Sequence, residues 1–128
     1  MRKFSLTLLP ALLAMSSAAR AECDPALGHR IFESKCATCH VAHAGATDTT
    51  GPNLYGVIGR KSASRPGFGY SPGLRALGIT WTTEALAKYL TDPQAMVPTT
   101  YMAYTGLKRS DDRSALICFL NGLTGGAP

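Results

Sequence analysis

The run Cys36-Ala37-Thr38-Cys39-His40 constrains the fold of this 128-residue chain more than any other feature. Two thiols three positions apart can reach the two vinyl groups on one side of a porphyrin and join them as thioethers. The histidine that follows immediately can direct its imidazole to the iron. This spacing is typical of covalent haem attachment. We therefore expect one haem c, bound through Cys36 and Cys39 with His40 as a metal ligand.

The C-x-x-C pair has two other common uses, as a redox disulfide or as half of a zinc site. A thioredoxin-like site would require a strand before the pair and a βαβ pattern around it, and the sequence indicates neither. A zinc site would require a second pair of ligands. Cys23 and Cys118 are single and far apart in sequence, and His29 and His43 form no paired spacing. Haem attachment therefore explains the motif better than either alternative.

The first 21 residues have the pattern of a secretory signal peptide. Arg2 and Lys3 give a positive start, an apolar stretch runs from Phe4 to Met15, and small residues up to Ala21 fit a cleavage site. The apolar stretch is shorter than the roughly 20 residues that span a bilayer. We predict cleavage after Ala21, export to the periplasm, and one mature domain over residues 22–128 without a membrane span. An uncleaved membrane anchor is the alternative.

Charge argues against one class of partner. The whole chain has a net charge of +5, but three basic residues leave with the predicted signal peptide. Ten basic and eight acidic residues remain, so the mature chain is +2 before any cofactor is counted. A nucleic-acid-binding surface requires a strongly basic patch or stripe, which this balance does not favour. We therefore predict no nucleic-acid partner.

The fold is predicted to be all-α, with long loops wrapped around one haem. Asp24 can cap a first helix that has Pro25 at its first position and leads into the haem motif. From His43 to Ile79, glycine, proline and threonine are frequent and hydrophobic periodicity is weak. We expect this segment to be a loop, with the cofactor replacing the core that so short a chain cannot supply alone.

Two further helices follow the long loop. One is expected to begin at Thr82 or Thr83 and to end at Pro93. The other is expected to take Ser110 as its cap, and its apolar residues between Leu116 and Leu123 repeat at i, i+3, i+4 and i+7. Gly125 and Gly126 are expected to end this helix.

The second axial ligand stays open at the level of the residues. An electron carrier closes both axial positions, and methionine opposite histidine raises the reduction potential. The predicted mature chain holds only Met96 and Met102. His43 lies too close to His40 to reach the opposite face easily, and His29 falls on the first helix. Methionine is therefore favoured, and the choice between Met96 and Met102 stays open.

Taken together, the mature chain resembles a class I cytochrome c of the mitochondrial and bacterial cytochrome c2 type. The resemblance covers essentially all of it. The matching stretches are Gly28 with Phe32, Gly51-Pro52-Asn53-Leu54, Gly56-Val57-Ile58-Gly59-Arg60-Lys61, Pro66-Gly67-Phe68-Gly69-Tyr70-Ser71, Ile79-Thr80-Trp81, Tyr89-Leu90 with Pro93, Pro98-Thr99-Thr100-Tyr101-Met102, and a last helix around Leu116 to Leu120.

The resemblance implies a complete cofactor site. It makes Met102 the sulfur ligand opposite His40, with Met96 left to packing, and it makes the Pro52 carbonyl the acceptor for the His40 ring. It places Tyr89 near the Met102 sulfur. The residues that it assigns to the cofactor are Cys36, Cys39, His40, Met102, Pro52, Arg60, Tyr70, Trp81, Tyr89 and Thr100.

By the same resemblance the protein is a monomeric single-electron carrier, not an enzyme. A bc1-type complex or a dehydrogenase would be the donor, and a terminal oxidase of a respiratory chain or a photosynthetic reaction centre the acceptor. Partners would dock transiently at the haem edge beside Lys35, Lys108 and Arg109. The alternatives are a subunit of a dehydrogenase or oxidase complex, and a peroxidase or gas sensor with an open sixth position.

Three features depart from the family pattern. Leu74 stands where a polar residue is common, and Gln94 and Ala95 stand where mitochondrial relatives carry lysines, so the positive docking patch is expected to be smaller. Cys23 and Cys118 have no usual role. Because the family's first and last helices cross, our hypothesis is a disulfide between these two cysteines. The alternative is a buried Cys118 that packs as a small apolar residue, with Cys23 free.

Overall fold

The computed structural model describes residues 23–123 and confirms the all-α fold class. Its helices are α1 (Pro25–Lys35), α2 (Pro72–Leu77), α3 (Thr83–Thr91), α4 (Pro93–Met96) and α5 (Ser110–Gly122). Within this range there is no β-strand, only an isolated antiparallel bridge between Lys61 and Thr80. None of these helices is long and apolar enough to cross a membrane. The predicted signal peptide lies outside the described residues.

Helix α1 begins as predicted and delivers the haem motif. The Asp24 side chain accepts a hydrogen bond of 2.8 Å from the Leu27 N–H, and Pro25 occupies the first turn. One face of the helix buries Gly28, Ile31 and Phe32. Because the N–H of Cys36 donates to the Phe32 carbonyl at 2.8 Å, the motif continues directly from the last helical turn.

Helices α1 and α5 cross, as the resemblance implied, and they approach most closely at Gly28. A Cβ atom at Gly28 would overlap the Ala115 carbonyl and lie 2.7 Å from the Cβ of Phe119, so only glycine allows this approach. The rings of Phe32 and Phe119 then pack with centroids 5.6 Å apart.

The same crossing brings Cys23 and Cys118 together, with their Cα atoms 5.5 Å apart, and they form a disulfide. The predicted pairing is therefore confirmed. The disulfide joins positions separated by 95 residues. The loop that it closes contains the haem motif and most of the chain.

Apolar side chains from α1, α3 and α5 make the hydrophobic core. Its buried members include Phe32, Leu86, Leu90, Leu116 and Leu120. Each such side chain contributes about 1.5–3 kcal/mol by leaving water. The core is small, and one side of it borders a cavity instead of solvent.

The segment from His43 to Ile79 is not loop throughout, so that prediction was wrong in part. It contains α2, which is capped by the Ser71 side chain at a distance of 3.2 Å from the Leu74 N–H. Gly78 ends the helix in the left-handed conformation, at φ 65°. Helix α2 buries no residue completely, and for that reason it left no apolar repeat in the sequence.

Pro93 ends α3 as expected but also begins α4, because Asp92 accepts from the Ala95 N–H at 3.0 Å and caps the new helix.

The predicted cap of α5 was also wrong. Ser110 is the first helical residue, the N-cap position belongs to Arg109, and no side chain caps the helix there. The Ser110 hydroxyl instead lies 3.5 Å from an Asp111 carboxylate oxygen. Asp111 and Asp112 occupy the first turn, where negative charge is favourable at a helix N-terminus.

Removing the disulfide tests its contribution to the fold. For Cys23→Ser/Cys118→Ser we expect the free energy of unfolding to fall by about 4 kcal/mol, because a bridge closing so long a loop restricts the unfolded chain most strongly. Guanidinium unfolding of the haem-loaded protein, followed by far-ultraviolet circular dichroism, measures this. The visible spectrum should stay unchanged, because neither cysteine lines the cavity. A loss below about 1 kcal/mol would contradict the expectation.

Candidate cofactor site

A cavity of about 370 Å³ lies between the loops, α3 and α5. Leu54, Val57, Leu86, Leu90, Leu116 and Leu120 contribute to its mostly apolar wall. Cys36, Cys39, His40 and Met102 line the same cavity. The structure therefore brings two thiols, an imidazole and a thioether to one apolar space, which is the donor set that a covalently bound haem requires.

The His40 ring is fixed by the loop that follows the motif. Its Nδ1 donates a hydrogen bond of 2.8 Å to the Pro52 carbonyl, which assigns the proton to Nδ1 and leaves the lone pair of Nε2 available for a metal. Burial lowers the pKa of His40 and the Arg60 charge adds to this, although the Pro52 hydrogen bond opposes them. The imidazole is therefore neutral at pH 7, as a ligand must be.

Gly51 packs directly against the face of the same ring. A Cβ atom at position 51 would overlap the His40 imidazole. The Gly51 N–H donates to the Cys39 carbonyl at 2.6 Å, and the Thr49 hydroxyl donates to that carbonyl at the same distance. The backbone therefore closes tightly on the motif and holds the ring in one orientation.

Met102 is held by a ring of three hydrogen bonds. Its N–H donates to the Thr100 hydroxyl at 3.2 Å, that hydroxyl lies 3.1 Å from the Tyr89 hydroxyl, and Tyr89 donates to the Met102 sulfur at 3.6 Å. Burial raises the pKa of Tyr89, with the Thr100 contact opposing it, so the phenol stays protonated and able to donate.

The other candidate axial ligands lie outside the cavity. Met96 is half-buried in α4 and packs against the hydrophobic core. His29 is exposed on α1, with Nε2 3.6 Å from a Glu33 carboxylate oxygen. His43 is exposed in the loop. Of the four side chains weighed from the sequence, only Met102 lines the cavity.

The two motif cysteines are unpaired. Burial raises the pKa of the Cys36 thiol to about 11, and the neighbouring Cys39 adds to the effect. Cys39 is exposed. Residues 23–123 contain no cluster of three or more histidine, cysteine or acidic side chains placed to hold a metal.

Comparison with known proteins identifies the family. The family model for cytochrome c matches residues 25–124. The chain belongs to the class I cytochromes c. It is 39% identical to cytochrome c2 of Rhodomicrobium vannielii over 120 residues, which cover 94% of this chain and 95% of the relative.

Mitochondrial-type relatives match at similar levels. Cytochrome c type-1 of Ascaris suum is 43% identical over 99 residues, covering 77% of this chain and 88% of the relative. Cytochrome c of Ginkgo biloba is 40% identical over 101 residues, covering 79% and 89%. Members of the family carry one covalently attached haem c and are electron carriers, not enzymes, and this cytochrome shares both properties.

Four further residues were assigned to the cofactor of this cytochrome, and only Tyr70 lines the cavity. Thr100 does not line the cavity, but its hydroxyl is hydrogen-bonded to that of Tyr89, which does. Trp81 is buried against the Tyr89 ring, with centroids 5.1 Å apart. The Arg60 guanidinium donates to the Asn53 carbonyl at 2.9 Å and so braces the loop that carries Pro52. Leu74, the departure from the family pattern, adds an apolar side chain to the wall.

Sequence reasoning missed a polar cluster behind Pro52. Asn53 is 2% exposed, and its side-chain amide donates to the His43 and Ala46 carbonyls at 2.7 and 3.0 Å. One oxygen of Asp48 accepts from the Asn53 N–H at 2.7 Å and from Arg65 Nε at 2.6 Å. The run Gly51-Pro52-Asn53-Leu54 signalled Asn53, but no local pattern connects Asp48 with Arg65.

Asp48 is ionised at neutral pH. Burial by itself would raise the pKa of this carboxyl, but the hydrogen bond from Asn53 and the contact with Arg65 outweigh it, and the pKa lies below its usual value. Both partners of the ion pair are partly buried, with side chains 27% exposed for Arg65 and 19% for Asp48.

The predicted docking cations differ in their surroundings. Lys35 lies at the edge of the cavity and is exposed. Lys108 donates to the Thr91 carbonyl at 2.8 Å and lies 3.7 Å from Asp92, and Arg109 lies 3.5 Å from Asp112.

The cavity edge also carries an apolar side chain. Among the described residues, Tyr101 is the one large hydrophobic residue that is exposed, with 72% of its surface accessible. It also lines the cavity. The cavity lining therefore includes one of the three predicted docking cations, Lys35, together with this exposed aromatic side chain.

The contact between Gly51 and His40 predicts the outcome of Gly51→Ala. The added methyl group must displace the His40 ring or the loop, so we expect a loss of about 1–3 kcal/mol in the free energy of unfolding. The reduction potential should also change. Gly122→Ala is the matched control, because a Cβ atom at Gly122 meets nothing within 4 Å. Equal effects of the two substitutions would contradict this account of Gly51.

Proposed function

We propose that Cys36 and Cys39 would hold haem c as thioethers, that His40 and Met102 would ligate its iron, and that the protein shuttles single electrons between larger redox proteins. The observation that carries this proposal is the meeting of these four side chains at one apolar cavity. The haem supplies a one-electron ferric/ferrous couple. The chain supplies the ligands, the apolar surroundings and access for partners.

The residues around the cavity are suited to a carrier. His40 is oriented by Pro52, and Met102 is held in place through Tyr89 and Thr100. A ligand set fixed in this way needs little rearrangement when the oxidation state changes, so the barrier to transfer stays low. The exposed edge of the cavity then suits small, transient contacts with partners.

Two alternatives remain. A peroxidase or gas sensor would require an open sixth position, and the bonded ring that includes Met102 favours a closed one. A dedicated subunit of a dehydrogenase or oxidase complex would use the same site, and a co-purifying partner would identify it.

Residues 1–21 support cleavage after Ala21 and function in the periplasm, as part of a respiratory or photosynthetic chain. The match to cytochrome c2 of Rhodomicrobium vannielii, a bacterial relative, supports the same location. A bc1-type complex or a dehydrogenase would be the donor, and a terminal oxidase or reaction centre the acceptor. We propose a monomer that meets these partners at the Lys35 side of the cavity.

Substitution of the two methionines tests the ligand assignment. Met102→Leu should remove the weak far-red band that methionine ligation is expected to give the oxidised protein, and should let carbon monoxide shift the reduced spectrum. Met96→Leu makes the same chemical change outside the cavity and should leave both spectra as in the wild type. The assignment fails if Met96→Leu, not Met102→Leu, opens the iron.

Charge substitution tests the docking side. Hexacyanoferrate(III), a trianion, should oxidise Lys35→Gln about fivefold more slowly than the wild type at low ionic strength, for a charge about 10 Å from the contact, and salt should erase the difference. Lys88→Gln loses the same charge on α3, away from the cavity lining, and should react at the wild-type rate. Equal slowing of both variants would contradict a docking site beside Lys35.

A further inference from the structure

The peptide group between Pro52 and Asn53, here called the Pro52–Asn53 peptide, is hydrogen-bonded at both ends. Its carbonyl oxygen accepts from His40 Nδ1 at 2.8 Å. Its N–H, on the opposite side of the same planar unit, donates to an Asp48 carboxylate oxygen at 2.7 Å. A continuous path of two hydrogen bonds and one peptide therefore connects an ionised carboxylate with the His40 imidazole.

Such a path transmits charge. A hydrogen bond to a carboxylate is roughly twice as strong as a neutral one, and it draws the amide proton away from its nitrogen. The peptide responds by placing more negative charge on its carbonyl oxygen, because hydrogen bonds in series polarise one another. The Pro52 oxygen then pulls harder on the Nδ1 proton, and the Nε2 lone pair of His40 becomes a stronger donor.

Arg65 moderates the carboxylate. Its Nε donates at 2.6 Å to the same Asp48 oxygen that accepts from Asn53, so the two donors share one acceptor atom. Weakening the Arg65 contact would leave more of the carboxylate charge for the Pro52–Asn53 peptide. The position of the peptide itself is also secured, because the buried Asn53 amide holds the His43 and Ala46 carbonyls.

We infer that Asp48 is a positioning residue which, through the Pro52–Asn53 peptide, strengthens His40 as an electron donor and thereby lowers the reduction potential, with Arg65 limiting the effect. This inference rests on the proposed ligation by His40. A more strongly donating imidazole favours the oxidised iron, so loss of the Asp48 charge shifts the equilibrium towards the reduced form.

The first test is Asp48→Asn in the haem-loaded protein. The amide keeps an oxygen that can accept from Asn53 but carries no charge. We expect the equilibrium with a reference redox dye to move towards the reduced cytochrome by roughly threefold. In the diamagnetic reduced protein, the proton resonance of His40 Nδ1–H should move upfield, because its hydrogen bond weakens.

A second variant separates the relay from the simple field of a charge. Asp48→Asn/Arg65→Gln removes both members of the ion pair, so the net charge is unchanged and the through-space effect largely cancels. The relay predicts that this double variant keeps most of the shift towards the reduced form and the upfield Nδ1–H resonance. Return of both to the wild-type values would overturn the inference.

Arg65→Gln alone serves if Asp48→Asn does not fold. Releasing the carboxylate should move the Nδ1–H resonance downfield, and an unmoved resonance would contradict the relay. Asp112→Asn is the matched control, since Asp112 is also a partly buried carboxylate in an ion pair but has no hydrogen bond towards His40.

The wild-type spectrum keeps the two proposals distinct. A wild type without histidine–methionine ligation overturns the proposed function, and the relay with it. A normal wild type with unshifted Asp48→Asn and Arg65→Gln resonances overturns the relay alone.

Discussion

The hydrogen bond from His40 Nδ1 to the Pro52 carbonyl is the contact on which the site depends. It decides which ring nitrogen keeps its proton and therefore which nitrogen can bind a metal. Its geometry requires the loop to return close to the motif, which is possible because Gly51 has no side chain to meet the ring. Asn53 and Asp48 then fix the same loop from behind.

The scaffold serves this contact by holding a cavity open beside a small core. Helices α1 and α5 cross closely at Gly28, and the disulfide between Cys23 and Cys118 joins them at one end. The core they form with α3 provides one wall of the cavity. In this family the haem c packs against such an apolar wall and completes the core.

Much of this could be predicted from the sequence because the signals were local. Helices α1 and α3 followed from their caps and prolines, and the apolar repeat of α5 was clear. Helix α2 had the right cap at Ser71 and the right stop at Gly78, but with no completely buried residue it lacked the repeat that would have revealed it. The prediction that Ser110 caps α5 was wrong because the helix begins one residue earlier than expected, with Arg109 at the N-cap position.

In the site, too, some residues could be predicted from the sequence and others could not. The motif and the family's loop indicated His40 and Met102, and the structure brings both to the cavity. The pairing of Cys23 with Cys118 was accessible only through the expected helix crossing. The contact between Asp48 and Arg65 joins residues 17 positions apart across two irregular loops, and no propensity or period predicts such a pair. Polar contacts between loops are set by the folded backbone.

The most direct test of the account is the optical spectrum of the wild-type protein matured with haem, recorded oxidised, reduced with dithionite, and reduced under carbon monoxide. Ligation by His40 and Met102 predicts sharp α and β bands on reduction, a weak far-red band on oxidation, and no change with carbon monoxide at neutral pH. A reduced spectrum that carbon monoxide shifts, without the far-red band before reduction, would contradict a closed iron and favour a catalytic or sensing role.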